Sequence, residues 1–262
     1  MKGHVTLFVG TYTRQGSEGI YTCLMDVSTG ALELLGITGN IENPSFLAVD
    51  RVGEHLYAVC ETGDESDHGA VTAFGINHDG SLDALNRQST SGPGPCHLAV
   101  DAQDTLVIAA NYKGGSVATI KLNPDGTLGM RSGFIQHEGA SVNPDRQEQP
   151  HAHSVTINAS NDRAYVCDLG ADTIVVYDIN YELHQLQHAV TITAQPGQGP
   201  RHFAFHPSRP CAYVINELGS TVAVYAVDSE DGSLSERQII STLPADWNGV
   251  NTTADVHVSP DG

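Results

Sequence analysis

The chain repeats itself about every fifty residues, and a repeat of that length excludes most folds before any local structure is considered. Five segments share one plan: a short apolar strand, a polar turn and a second apolar strand. They are PSFLAVDRVGEHLYAVCE from Pro44, PCHLAVDAQDTLVIAANY from Pro95, HAHSVTINASNDRAYVCDLG from His151, PRHFAFHPSRPCAYVINELG from Pro200 and ADVHVSPDG from Ala254. Aligned on these pairs, Phe46, His97, His153, His202 and His257 fall into one column, at intervals of 51, 56, 49 and 55 residues. A third strand follows each of the first four pairs (GAVTAFGI, GSVATIKLN, DTIVVYDI, STVAVYAV). In three of the four an Asp-Gly turn comes next, and a less regular fourth strand closes the unit. Asp-Gly is a hairpin signal because both residues tolerate positive φ.

Each unit reads as four short antiparallel strands, which is one propeller blade, and no stretch sustains a helical period. The expected fold is all-β: one β-propeller domain over residues 1–262, with about five blades present. The first segment, TLFVGTY followed by GIYTCLMDVSTGALEL, begins at the second strand of a blade, and the chain stops at SPDG inside a hairpin. The expectation is a domain incomplete at its C-terminus, lacking roughly 80–90 residues if the ring has seven blades of this length.

Charge narrows the partners. With 12 Lys+Arg against 31 Asp+Glu and a formal charge of −19, the chain lacks the basic footprint that nucleic acid or an anionic membrane requires. No apolar run is long enough to span a bilayer, and the N-terminus lacks a signal-peptide pattern. Five scattered cysteines without a CxxC pair fit a reducing, cytoplasmic setting.

Strand polarity turns the repeat into a candidate site. In an antiparallel blade the start of the innermost strand and the end of the second lie on one face, beside the axis. The histidine column therefore shares a channel mouth with Cys60 and Glu61, Asn111 and Tyr112, Asp168, and Asn216 and Glu217. The densest cluster is His151, His153, Asp168, Arg201, His202, Asn216 and Glu217. Imidazoles near neutral pKa take a proton from water, and Arg201 offers a planar fork to a carboxylate or phosphate. Glu217 fixes Arg201 or a histidine tautomer, or is itself an acid/base group. Lys113, directly after a second strand, is a further cation for this mouth. Arg14 and Arg146 are others, Arg146 reading equally well as a solvated loop residue. His97 is a substrate-binding candidate that reads also as architecture. No third ligand accompanies His151 and His153 at a specific spacing, and the glycine-rich strings precede strands rather than helices. Neither a metal nor another cofactor is expected.

The strings PHAHSV, CDLGAD, GPRHFAFHP, NELGSTV and ADVHVSPDG, with the opening VGTYT and GIYT, resemble the lactonase family of seven-bladed propellers. That family includes bacterial propeller-type 6-phosphogluconolactonases and fungal carboxy-muconate lactonizing enzymes, and the resemblance covers essentially the whole chain. It implies seven blades and hydrolysis of 6-phospho-glucono-1,5-lactone, a phosphorylated sugar lactone, in the pentose phosphate route. Carried over by motif, it implies a site built on the histidine of PHAH (His151 or His153), Arg201 and Glu217. Two rival functions stay open: a muconate-type cyclase using the same residues, and a non-catalytic propeller presenting its face to a protein or sugar. The second would need exposed aromatic anchors, and the chain has only six Phe and one Trp.

Overall fold

The computed structural model describes residues 3–63 and 68–262, and it is built from strands packed sheet against sheet. The first sheet has three strands, β1 (His4–Val9), β2 (Ile20–Asp26) and β3 (Leu32–Thr38). Four sheets of four strands follow. They are β4 (Leu47–Val49), β5 (His55–Cys60), β6 (Ala70–Ile76) and β7 (Leu82–Ser89); β8 (Pro95–Val100), β9 (Leu106–Asn111), β10 (Ser116–Leu122) and β11 (Leu128–Gln136); β12 (Ala152–Ile157), β13 (Arg163–Asp168), β14 (Thr173–Asn180) and β15 (Gln185–Thr193); β16 (Pro200–Phe205), β17 (Cys211–Asn216), β18 (Thr221–Val227) and β19 (Leu234–Ser241). Each is an antiparallel meander in chain order. These are the blades of an all-β propeller, and five are present among the described residues.

Both faces of the three inner blades are buried, which explains why their second and third strands read as apolar runs rather than as an alternation. In β9, Leu106, Ile108 and Ala110 pack toward the following blade, while Val107 and Ala109 pack toward the preceding one. In β13, Ala164 and Val166 face back and Tyr165 and Cys167 face forward. One core cluster thus lies between each pair of neighbouring sheets, the arrangement expected of stacked two-faced layers.

The Asp-Gly turns tie the blades together. Tyr57 Oη donates to the Gly126 carbonyl at 3.0 Å, Tyr165 Oη to the Gly232 carbonyl at 3.0 Å, and Thr22 Oγ1 to the Gly80 carbonyl at 3.1 Å. In each case a hydroxyl of one blade holds the hairpin tip of the next. The three glycines have φ of +84°, +76° and +75° in chain order, and a Cβ on Gly126 would overlap the His55 ring. Only glycine satisfies both constraints.

Pairing register corrects the histidine column. Pro95 pairs Asn111 and His97 pairs Ala110, so Cys96 bulges from β8. Pro200 pairs Asn216 and His202 pairs Ile215, so Arg201 is the bulged residue of β16. In β12 Ala152 pairs Asp168 and Ser154 pairs Cys167. His153 is therefore a bulge residue equivalent to Cys96 and Arg201, and Ser154 stands in the column with His97 and His202. The inner hairpins are equal in length, Val100 pairing Val107, Ile157 pairing Ala164 and Phe205 pairing Ala212, so matching histidine to histidine caused the misalignment. His257 leaves the column too. Asp50, Asp101, Asn158 and His206 each open an inner hairpin with an i+3 turn or closing bond that Ser259 repeats. Counting back four residues from Ser259 reaches Asp255. Residues 254–258, expected as an opening strand, are not in a strand, because no sheet partner pairs with them among the described residues.

Gly126→Ala is expected to cost about 2–4 kcal/mol, from the left-handed backbone plus overpacking. Gly30→Ala, at φ +73° in open space, should cost only about 1–2 kcal/mol. Urea midpoints of the two variants compare them, and equal losses would contradict the inter-blade role of the turn.

Candidate active site

A bulge turns one side chain of the innermost strand out of the pleat, and in two blades the side chain at this position meets the residue just past the second strand. Ser45 Oγ hydrogen-bonds the Glu61 carboxylate, and Arg201 Nε donates to Glu217 Oε2 at 2.9 Å. Glu217, buried, is the hub of the cluster. Its other oxygen accepts from Arg146 Nη2 at 2.6 Å, and His153 Nε2 lies 3.8 Å from Oε2. Arg146 Nη2 also donates to Tyr112 Oη at 3.1 Å. The Tyr112 ring stacks on His151 at 4.5 Å and meets His153 edge-on at 5.3 Å. His151 is oriented by Nδ1–H donating to the Tyr112 carbonyl at 2.8 Å.

Protonation follows from this packing. Burial, and after it the Arg201 guanidinium, holds His153 well below the usual imidazole range. The ring is neutral at physiological pH, with no tight hydrogen bond to occupy its acceptor nitrogen. Cys96 Sγ lies 3.8 Å from its Nδ1 and contacts its carbonyl oxygen at 3.2 Å. Burial, then Glu61, pushes that thiol far above its ordinary value, so Cys96 is a neutral floor rather than a nucleophile. Burial likewise raises Tyr112, whose hydroxyl stays protonated.

A second group of side chains lines a channel cavity of about 300 Å³ bounded by Phe46, His97, Ser154, His202, Asp255 and His257. His97 stacks on Phe46 at 3.8 Å and meets His202 edge-on at 5.2 Å. His202 Nδ1 hydrogen-bonds Asp255 Oδ1 at 2.7 Å, and its Nε2 accepts from Arg201 Nη1 at 3.3 Å. Arg201 Nη1 also donates to the Ala254 carbonyl.

The structure thus brings His151, His153, Arg201 and Glu217 together and places His202 against Arg201. Other candidates are corrected. Asp168 is fully buried; its carboxylate accepts the His151 and Ala171 backbone N–H groups and pairs with His137 Nδ1 at 2.6 Å. It braces the blade and has no face for a substrate. Asn216, also buried, donates its amide to Thr221 Oγ1 at 3.0 Å. Lys113 Nζ turns to the Gly63 carbonyl at 3.3 Å, outside the cluster. His97 lines the channel cavity and does not touch the Glu217 cluster.

Arg146 departs most from its reading as a solvated loop residue. Its loop is pinned by Gln147, fully buried, whose Nε2 donates to the Leu169 carbonyl at 2.9 Å. The contact with Glu217 spans 71 residues and leaves no local signal. By contrast, a constant spacing of 16 residues from the start of the innermost strand to the residue past the second (Ser45 to Glu61, Cys96 to Tyr112, His153 to Leu169, Arg201 to Glu217) was available in the sequence.

The family described as Lactonase, 7-bladed beta-propeller, matches residues 6–262. The chain belongs to this family. Membership makes it an enzyme of the lactonase kind. It is 34% identical over 257 residues to the 6-phosphogluconolactonase of Bacillus subtilis (strain 168), covering 97% of the chain and 72% of that relative. It is 32% identical over 267 residues to the 6-phosphogluconolactonase of Formosa agariphila, covering 98% of the chain and 73% of that relative. The structure of the periplasmic gluconolactonase of Pseudomonas aeruginosa matches with a TM-score of 0.92 and 30% identity, over 99% of this chain and 74% of that one.

His97 and His202 share the depressed proton affinity of His153. Burial is the first cause in both, with each other's or Arg201's charge opposing protonation further. Below about pH 6.5 the unfolded chain binds protons that the folded histidines refuse. Stability is therefore expected to fall as pH drops below that value, by up to about 1.4 kcal/mol per pH unit for each histidine. Urea midpoints at about pH 7.5 and 5.5 measure the slope. His97→Gln should reduce it, and a wild-type midpoint that does not move would refute the assignment.

Proposed function

We propose that this lactonase hydrolyses 6-phospho-D-glucono-1,5-lactone to 6-phosphogluconate, the lactone-opening step of the pentose phosphate route. The observation that carries the mechanism is a neutral histidine, His153, standing beside Arg201 and Glu217 at one channel mouth. The names of the relatives support the substrate class. We place the enzyme in the cytoplasm, in a seven-bladed ring like that of its family, with five unpaired cysteines in keeping with a reducing compartment.

In the first step water adds to the lactone carbonyl carbon while its proton passes to the free nitrogen of His153. The Arg201 guanidinium, held by Glu217 and His202, stabilises the oxyanion that forms. Collapse of the tetrahedral species breaks the bond from the carbonyl carbon to the ring oxygen, which takes the proton back from His153. Glu217 stabilises the transient imidazolium, because its Oε2 lies 3.8 Å from His153 Nε2. His151 holds the Tyr112 wall of the site through ring stacking.

His153→Ala should lower kcat/KM on the phosphorylated lactone about 10²–10⁴-fold. Arg201→Ala should lower it by about 10²–10³-fold, the loss typical of one oxyanion donor. Because burial depresses His153, the acid limb of the wild-type kcat/KM profile should lie below pH 6.5, the activity being lost only as the imidazole protonates. Wild-type rates in both variants would exclude the mechanism.

A further inference from the structure

Two guanidinium groups meet on Glu217, and they are not equivalent. Arg201 has two of its three nitrogens committed to protein, Nε to Glu217 and Nη1 to His202 and the Ala254 carbonyl. Its side chain is 23% exposed. Arg146 is bound through Nη2 alone, to Glu217 and Tyr112. Among the described residues its Nε and Nη1 have no partner, and its side chain is 37% exposed. The backbone beneath it is fixed: Arg146 and Gln147 donate N–H to the Asn143 carbonyl at 3.3 and 2.7 Å, and buried Gln147 anchors the turn to Leu169. A rigid base thus carries a cation with unused donors over the mouth.

Charge balance sharpens the distinction. Glu217 contributes one negative charge and the two arginines two positive ones, while His153 is neutral. Two guanidinium groups thus share one carboxylate, while Glu148 stands 3.4 Å from His151 and Asp255 is bound to His202 beside them. An oxyanion forming at the reacting carbon needs the arginine adjacent to His153 and anchored in place, which is Arg201. A phosphate remote from that carbon needs an accessible donor set, and a guanidinium binds it with directional charge-assisted hydrogen bonds. Tyr112 Oη accepts from Arg146 and keeps its own O–H to donate, which adds a neutral contact for the same group.

We propose that Arg146 is the phosphate-recognising residue of the site, and that it sets the preference for a phosphorylated over an unphosphorylated sugar lactone while Arg201 serves the reacting carbonyl. This inference rests on the lactonase reading above. It gives separate roles to Arg201 and to Arg146, which the sequence offered only as one of several further cations for the mouth.

The test compares kcat/KM on 6-phospho-glucono-1,5-lactone and on glucono-1,5-lactone for the wild type, Arg146→Met and Arg146→Lys, with thermal melts to establish that each variant is folded. The wild type should prefer the phosphorylated lactone. Arg146→Met should lower that preference about 10- to 100-fold, chiefly through KM, as loss of hydrogen bonds to a charged group predicts. Arg146→Lys, a point charge without the planar fork, should fall between. Competitive inhibition by inorganic phosphate should weaken in the same order. Equal proportional losses on both lactones in Arg146→Met would overturn the proposal, since Arg146 would then act only by positioning Glu217. A wild type that opens both lactones without preference overturns it as well, yet leaves the lactonase reading intact. A wild type that opens neither removes that reading and the inference with it.

Discussion

One extra residue at the start of three successive innermost strands organises this molecule. The bulges at Cys96, His153 and Arg201 interrupt a ladder that is otherwise regular. Their effect is to split neighbouring positions between two environments. Arg201 thereby meets Glu217 of its own blade and His153 approaches the same Glu217 from the preceding one, while the next side chains, His97, Ser154 and His202, enter the channel with Phe46. Without the bulge, Arg201 could not lie beside Glu217 while His202 points into the cavity of the column. Bulges concentrate beside active sites for this reason, and here the device recurs blade after blade.

Much of the fold was legible in the sequence, because blade architecture is written as periodicity. The second and third strands are apolar on both faces, as layers between two neighbours must be, and the Asp-Gly turns mark hairpins whose glycine carbonyls the preceding blade holds. The histidine column was only partly legible. A histidine draws the eye to an alignment, but the inner hairpins are equal in length, and register puts His153 at the bulge and Ser154 in the column. Spacing measured to the strand end, 16 residues in every blade, resolves the ambiguity that residue identity creates. Asp168 shows the converse limit. It occupies the register of Asn111 and Asn216, and nothing local reveals that two backbone N–H groups and His137 consume its carboxylate.

Arg146 marks where periodicity ends as a guide. It belongs to no strand and no repeat, and its partner lies 71 residues away. What makes it part of the site is a single buried glutamine that fixes the turn beneath it. A loop residue acquires a definite role when the backbone below it is paid for by buried hydrogen bonds, and Gln147 supplies them. Glu217 likewise gathers partners from three stretches of chain, so its importance is a property of the tertiary structure rather than of its own neighbourhood.

The two guanidinium groups on Glu217 sit in a chain of net charge −19, and for the anionic substrate proposed above this mismatch would govern arrival. Over distances beyond a Debye length, about 8 Å at physiological ionic strength, the body of the protein presents a repulsive field to an anion. Within the mouth the two guanidinium groups oppose that field locally. Electrostatic steering therefore works against capture at long range and in favour of it only at the last few ångströms, the opposite of enzymes whose whole surface funnels an ion inward. Added salt screens the outer field more than the half-buried inner one, so dissolved ions assist encounter before they weaken binding. In this propeller the local charge of one mouth, rather than the global charge of the chain, selects what the site admits.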